Sequence, residues 1–416
     1  MEILVETEKD GFVEYGETDS KEGWIIVIFA FICLIMSHGL DNAFPIYSTV
    51  YATKEFPNES STKIGWIGSL GSSFLVLSAI ISGRLVGYLG FKNVTLIGMV
   101  LGFTSLMIAS VIKNVSALAF FQGALFGIGA GLVFSCAIAV TGTWFEKNLG
   151  LAMGIVSSGS GVGGILISEL VKVMINKYEY QVTLRVTAVM YAIFVGVSAF
   201  MLKSRVSIAK GNALFDITVL KTPVFIFVTL AGFIGTLGFA IPMFFMPLAA
   251  MEVGATKHQA DNIVVIMNVG LLIGSLAFGK ISDIIGPFFT FFISALLAGI
   301  SILYFWVITN TVNGFLALSF FYGLFDSGFT SVCILVLNKY YETSKIPVIN
   351  GMYLFFISMS ILISNGILSA MDVSHTSKNM DIAVLLSFFS YSTASLVILT
   401  GILHTRNSLK SSSWQL

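Results

Sequence analysis

The chain has 416 residues, 56% of them hydrophobic and only 11% charged, with a mean hydropathy of +0.92. Soluble domains carry about 25% charged residues, so a water-soluble fold of this size would have more apolar surface to hide than its interior can hold. Net charge is zero, which excludes the basic field that a nucleic-acid binder needs.

Residues 1–23 form an acidic, polar head, expected to be disordered. The first apolar run is too long for the core of a cleavable signal peptide, so none is expected. A membrane-spanning helix needs roughly 20 mostly apolar residues. Twelve such runs follow, at 24–47, 64–88, 92–112, 116–140, 149–173, 182–202, 223–248, 259–281, 287–308, 313–337, 347–371 and 380–403. The expectation is an all-α integral-membrane protein of twelve transmembrane helices. The longest interior polar segment, 203–222, divides the chain into an N-terminal six-helix bundle over 24–202 and a C-terminal one over 223–403, followed by a tail at 404–416. Placing head, linker and tail in the cytoplasm puts most of the 22 Lys and Arg on the inside, as topology requires. The plasma membrane is the expected location, with an internal organelle as the alternative.

The two halves repeat. Gly83-Arg84-Leu85-Val86-Gly87-Tyr88-Leu89-Gly90 follows the second run and Gly279-Lys280-Ile281-Ser282-Asp283-Ile284-Ile285-Gly286 follows the eighth, an offset of 196 residues from Gly83 to Gly279. The same offset relates Gly127 to Gly323, Trp144-Phe145-Glu146 to Tyr340-Tyr341-Glu342, and Gly154 to Asn350. Repeated helical bundles mark transporters in which one half rocks against the other around a midplane site.

Polar groups inside the runs are the candidate site residues. An Asp at a helix centre costs about 2.5 to 3.5 kcal/mol on insertion scales, and Asp326 lies in the middle of the tenth run. It is read as a cavity carboxylate for substrate or proton, or else as a buried structural acid. His38 and Asp41, three apart, share a helix face and are read as a proton or substrate pair, or as an internal hydrogen-bond pair; Asn42 is adjacent. Asn268 and Asn365 either line a cavity or bind helices together. Glu169 and Lys172 read as an interfacial pair, and Arg185 as an interfacial anchor or an attractor of anions. Gly154, Gly159, Gly161 and Gly163 are expected to pack helices closely. Cys33, Cys136 and Cys333 each stand alone in an apolar run, with neither disulfide logic nor metal-ligand spacing. With no hydrolase triad, metal cluster or phosphate loop in context, an enzyme is not expected, and neither a cofactor nor a metal is.

Several motifs carry a resemblance. Asp19, Gly23 and Trp24 lead into the first run, Ala43-Phe44-Pro45 closes it, and Gly65-Trp66-Ile67 opens the second. Trp144-Phe145-Glu146-Lys147-Asn148-Leu149-Gly150-Leu151-Ala152-Met153-Gly154 and then Ser158-Gly159-Ser160-Gly161-Val162-Gly163-Gly164 form the entry to the fifth. With Arg185 entering the sixth, the chain resembles the monocarboxylate transporter family of the major facilitator superfamily, above all its fungal branch. That resemblance implies the major facilitator fold, two pseudo-symmetric six-helix bundles working by alternating access. The implied partners are a small organic acid such as a monocarboxylate, possible proton cargo, and the lipid bilayer. It also implies that Gly279, Asp283 and Gly286 form a conformational latch. The chain departs from the animal proton-coupled members at Ile46, where they carry lysine, and at Leu271 and Ser275, where they carry an Asp–Arg pair. Both secondary active and facilitative transport are therefore open. The alternative function is a non-transporting solute sensor on a carrier fold, for which the short polar segments leave little partner surface.

Overall fold

A computed structural model describes residues 6–9, 12–15, 17–208, 216–309, 311–370 and 377–411. The linker is thus described only at its ends, and the tail only to residue 411. In chain order the helices are α1 (Lys21–Asn42), α2 (Phe44–Val50), α3 (Ser61–Leu77), α4 (Ala79–Ala109), α5 (Val115–Leu118), α6 (Phe126–Trp144), α7 (Leu149–Lys177) and α8 (Tyr180–Met201). They continue with α9 (Ile217–Leu220), α10 (Pro223–Glu252), α11 (Lys257–Ile285), α12 (Pro287–Thr309), α13 (Val312–Tyr340), α14 (Ile346–Ala370) and α15 (Ser377–Ser411). Two compact units result: Met1–Phe215 with Tyr341–Ser358, and Asp216–Tyr340 with Met359–Leu416. Among the described residues, ten helical segments are long and apolar enough to cross a membrane. Of the other two expected runs, one is divided at Ser78 between α3 and α4, and the other lies in the single helix α10, which is apolar over Pro223–Phe239.

The helix ends follow from local chemistry. The Ser20 side chain accepts from Gly23 N to start α1, and Thr256 with Gln259 forms a reciprocal capping box at α11. The surface of α8 shows which solvent it meets. Val182, Val186, Val189, Ile193, Val197 and Phe200 recur at helical spacing and are 36% to 57% exposed. Such a continuous apolar face is tolerated in hydrocarbon, not in water. In the first unit the core is α6, where nearly every residue from Phe126 to Trp144 is buried. In the second unit it is α13. Their last residues, Trp144 and Tyr340, are separated by the same 196 residues that relate the sequence motifs.

The repeat extends to atomic contacts. A Cβ on Gly127 would lie 2.5 Å from the carbonyl oxygen of Gly71, and a Cβ on Gly323 would lie 2.3 Å from that of Met267. Residues 71 and 267 are again 196 apart. The last glycine of each loop motif, Gly90 and Gly286, has φ of 76° and 89°, a left-handed conformation that excludes most side chains. In the first copy Gly90 turns α4 sharply, so that its two segments complete the second expected run and supply the third.

Two findings differ from the sequence reading. The head is not without structure throughout, since Glu6–Lys9 pairs antiparallel with Phe12–Tyr15. Thr7, Val13, Phe12 and Tyr15 favour strands, and the intervening Asp10-Gly11 dipeptide is the one that short hairpins prefer. Second, residues 341–358 cluster with the N-terminal helices, not with the C-terminal bundle. The cause is close backbone approach: a Cβ on Gly351 would lie 2.6 Å from the Ala79 carbonyl oxygen, and one on Gly83 would lie 2.3 Å from that of Pro347.

The motif ahead of α1 and the entry to α7 meet. Asp19, at φ 57°, accepts from the backbone N–H groups of Glu146 (3.2 Å), Lys147 (3.0 Å) and Asn148 (2.9 Å), and from Asn148 Nδ2 at 3.1 Å. Those amides open α7 and have no partner within their own helix. The Trp24 and Phe145 rings pack edge-on at 4.9 Å. Burial raises the Asp19 pKa, but the amides of Lys147, Asn148 and Glu146 outweigh it and hold the carboxyl below its ordinary 3.8. Further along, α7 lies directly on α1, where a Cβ on Gly163 would stand 2.5 Å from the Ile35 carbonyl oxygen.

Two predictions follow from these contacts. Gly163→Leu should destabilise the detergent-solubilised protein by roughly 1–3 kcal/mol or more through overpacking, read as a lowered midpoint of thermal unfolding. Asp19→Asn should cost about 1 kcal/mol, the scale of a lost helix cap. Because the folded pKa of Asp19 is depressed, its contribution is complete above the unfolded value and disappears as pH falls through the folded one. The variant's deficit in unfolding temperature should therefore be present at neutral pH and shrink in acid.

Candidate functional site

The strongest candidate is built on α13. Tyr322 and Asp326 are four residues apart and so lie on one helix face; both are buried, Asp326 to 1% exposure. Tyr391 of α15 donates to Asp326 Oδ1 at 2.5 Å. The Tyr322 and Tyr391 hydroxyl oxygens are 3.0 Å apart, and Tyr322 donates to the Phe239 carbonyl of α10 at 3.0 Å. That carbonyl lies three residues before Pro242, inside the continuous helix α10. Pro242 has no N–H, so the Gly238 carbonyl loses its partner within α10, and Ser387 Oγ takes its place at 2.7 Å. Ser360 and Ser364 of α14 donate to the Phe233 and Leu237 carbonyls at 2.6 and 2.9 Å. The second unit thus surrounds one buried carboxyl with hydroxyls and serves carbonyls of its proline-containing helix with side-chain bonds.

The candidates of the first unit do not assemble as a pair. Asp41 Oδ2 accepts from Ser72 Oγ of α3 at 2.8 Å. His38 instead packs its ring edge-on against Phe134 at 4.7 Å, and its Nδ1 is buried with no hydrogen-bond partner among the described residues. Residues three apart share a face, but α3 supplies a nearer donor for the carboxylate. Asn42, half-buried, ends α1. A second buried polar contact lies nearby, where Tyr51 donates to Gln122 Oε1 at 2.6 Å.

The remaining candidates have local roles. Arg185 is exposed and its Nε donates to Ser110 Oγ at 3.0 Å, joining α8 to the end of α4. Asn268 donates to the Val264 carbonyl of its own helix at 2.9 Å. Asn365 lies in α14, but its side chain is outside the described residues. Glu169 and Lys172 make an ion pair at 3.7 Å, each about half exposed. Gly159 and Gly163 face α1, while Gly154 and Gly161 are buried within α7. Gly279 is buried, Asp283 is half-buried, and Gly286 caps α11. Among the described residues no group of acidic, histidine or cysteine side chains is arranged to hold a metal. The sequence reading did not single out Tyr322, although its spacing of four from Asp326 was the signal that could have found it. Tyr391, 65 residues further on, carried no sequence signal.

Two repeated helical units, each with a lipid-tolerant surface and a buried core helix, define a multi-spanning membrane carrier. The comparisons agree: the profile of the Major Facilitator Superfamily matches residues 24–248 and 228–403, and the chain belongs to that superfamily. Its members carry small solutes and are not enzymes. The chain is 28% identical over 358 residues to the MFS-type transporter pynF of Aspergillus niger, covering 85% of this chain and 82% of that one. It is 25% identical over 344 residues to the agnestins efflux protein AgnL12 of Paecilomyces divaricatus, covering 82% and 79%. Its fold matches the transporter FucP in its outward conformation, with a TM-score of 0.70 at 16% identity, over 90% of this chain and 98% of that one.

The Asp41–Ser72 contact is directly testable. Ser72→Ala leaves the carboxylate without its donor and should cost about 1–3 kcal/mol. Ser72→Thr keeps the hydroxyl and should recover most of the loss, as measured by thermal unfolding in detergent.

Proposed function

We propose that this chain carries a small organic acid of the monocarboxylate kind by alternating access, with both termini on the cytoplasmic side of the plasma membrane. The observation that most supports this is Asp326, a carboxyl deep in the core helix of its unit, surrounded by hydroxyls and, among the described residues, with no cation in contact. A group at that depth demands a task, and binding the solute or an accompanying proton is the task a carrier offers. The motif at Asp19, Gly23 and Trp24 and the entry to α7, which resemble the monocarboxylate family, support an acid as cargo. In such a carrier the solute acts by stabilising interconverting states, and any coupling ion must bind differentially to the same states.

The relatives' names favour a second reading in one respect, direction. AgnL12 is named an efflux protein, and export of an organic product fits the same site as well as import does. The two readings share the fold and Asp326 and differ in vectorial direction.

Proteoliposomes holding the purified chain, offered labelled monocarboxylates with and without an inward proton gradient, test the proposal. The expected result is flux of at least one acid, reduced tenfold or more by Asp326→Asn at unchanged protein levels. Accumulation driven by the gradient identifies a symporter, and equilibration alone identifies a facilitator. Absence of flux for every acid, from folded protein, rejects the monocarboxylate assignment; binding without flux would favour a sensor.

A further inference from the structure

We propose that the turn inside α4 and the residues that follow α8 form a binding pocket for the phosphate headgroup of an anionic lipid. The inference concerns the bilayer around the carrier and goes beyond the choice of cargo.

A cavity of about 350 Å³ lies in the first unit, between residues 86–92 of α4 and residues 202–208. Small-molecule sites occupy about 300 to 1,000 Å³, so the space suits a headgroup. Val86, Leu202 and Val206, all buried, form its apolar part. Its polar side chains are Lys92, Lys203 and Ser204, and both lysines are exposed. Neither lysine has an acidic partner among the described residues. The sequence has no Asp or Glu from residue 60 to 145 or from 180 to 215. Two ammonium groups at one cavity attract an anion, and a phosphate has oxygens enough to accept from both.

The internal repeat shows what has changed here. Adding 196 takes Gly87, which lines the cavity, to Asp283, and takes Lys92 to Phe288. Where the second repeat has a carboxylate the first has no side chain, and where the second has a ring the first has a cation. Both exchanges make the first copy more positive, and the glycine also leaves room.

The walls are held in place. Gly90 turns α4 at φ 76°. Trp144 Nε1 donates to the Lys203 carbonyl at 2.7 Å, and Arg205 Nε donates to the Thr143 carbonyl at 2.9 Å. The segment after α8 is thereby tied to the end of α6. A lining fixed beforehand lowers the entropic cost of binding.

The position favours a lipid over a soluble anion. Lys92 Nζ stands 4.3 Å from the centroid of the Phe200 ring, a cation–π contact. Phe200 ends the exposed apolar row of α8 that includes Ile193 and Val197. The cationic cavity therefore adjoins a hydrocarbon-facing surface, and a lipid presents phosphate and acyl chains together. The phosphate lies between Lys92 and Lys203, and the acyl chains run along Ile193, Val197 and Phe200.

Thermal unfolding of the purified full-length chain in detergent, titrated with lipid, tests this. Phosphatidic acid should raise the unfolding midpoint saturably, and phosphatidylcholine should not. Lys92→Gln with Lys203→Gln should weaken the apparent affinity about tenfold or more. Gly87→Asp keeps both lysines and should weaken it too. Lys113→Gln with Lys339→Gln removes the same charge from exposed positions outside the cavity and should leave the affinity unchanged. An equal loss in that control pair shows general surface attraction and overturns the inference, as does an equal response to phosphatidylcholine. Inorganic phosphate matching the lipid at equal concentration gives the cavity to a soluble anion and overturns the lipid assignment. Native mass spectrometry of the unaltered chain needs no variant to fold: a single retained phosphatidic acid is expected, and a graded series without that step overturns the site.

Discussion

Hydrocarbon offers no hydrogen-bond partner, and this constraint explains most of the polar chemistry in the fold. A polar group within a membrane helix must find its partner inside the protein. Small hydroxyls do so first by bonding back along their own helix, as Ser37 does to the Cys33 carbonyl and Thr141 to that of Ala137. Where proline removes a donor from the ladder, a hydroxyl reaches across. Ser387 serves the Gly238 carbonyl, whose helical donor Pro242 lacks, and Ser360 and Ser364 serve the Phe233 and Leu237 carbonyls of the same helix. The carboxyl of Asp326 obeys the same rule, with two phenols as the nearest partners.

The two repeats share packing and differ in chemistry. Both core helices end at equivalent residues and both set a glycine against the same carbonyl of the neighbouring helix, while the loop motif of each repeat turns on a left-handed glycine, Gly90 in α4 and Gly286 at the end of α11. Yet the residue in the first repeat that corresponds to Asp326, 196 positions earlier, is Ala130, buried and apolar. The polar groups of the first unit lie elsewhere, at Asp41 with Ser72 and at Tyr51 with Gln122. Shared packing keeps a common architecture while each unit builds its own interior.

The spans were legible because they rest on composition over roughly 20 residues, a strong signal. The repeat was legible because Gly127 and Gly323 are fixed by close backbone approach and Gly90 and Gly286 by a positive φ that glycine adopts most readily. Local pairings were less readable. His38 and Asp41 share a face, but sequence spacing says nothing of α3, whose Ser72 takes the carboxylate. The head reads as polar and acidic overall, and that composition conceals Phe12, Val13 and Tyr15, the strand-forming residues of one of its two paired segments. Tyr391 was invisible for a simpler reason: its partner is set by how α15 crosses α13, which no local pattern encodes.

The match between Gly127 against residue 71 and Gly323 against residue 267 reaches beyond geometry. It makes each half an internal control for the other. A map of tolerated substitutions over one bundle can be laid on the second by adding 196 to every position. Where the two maps coincide, the residue serves architecture common to both copies. Where they part company, as Ala130 and Asp326 must, selection has acted on what one half alone has to do.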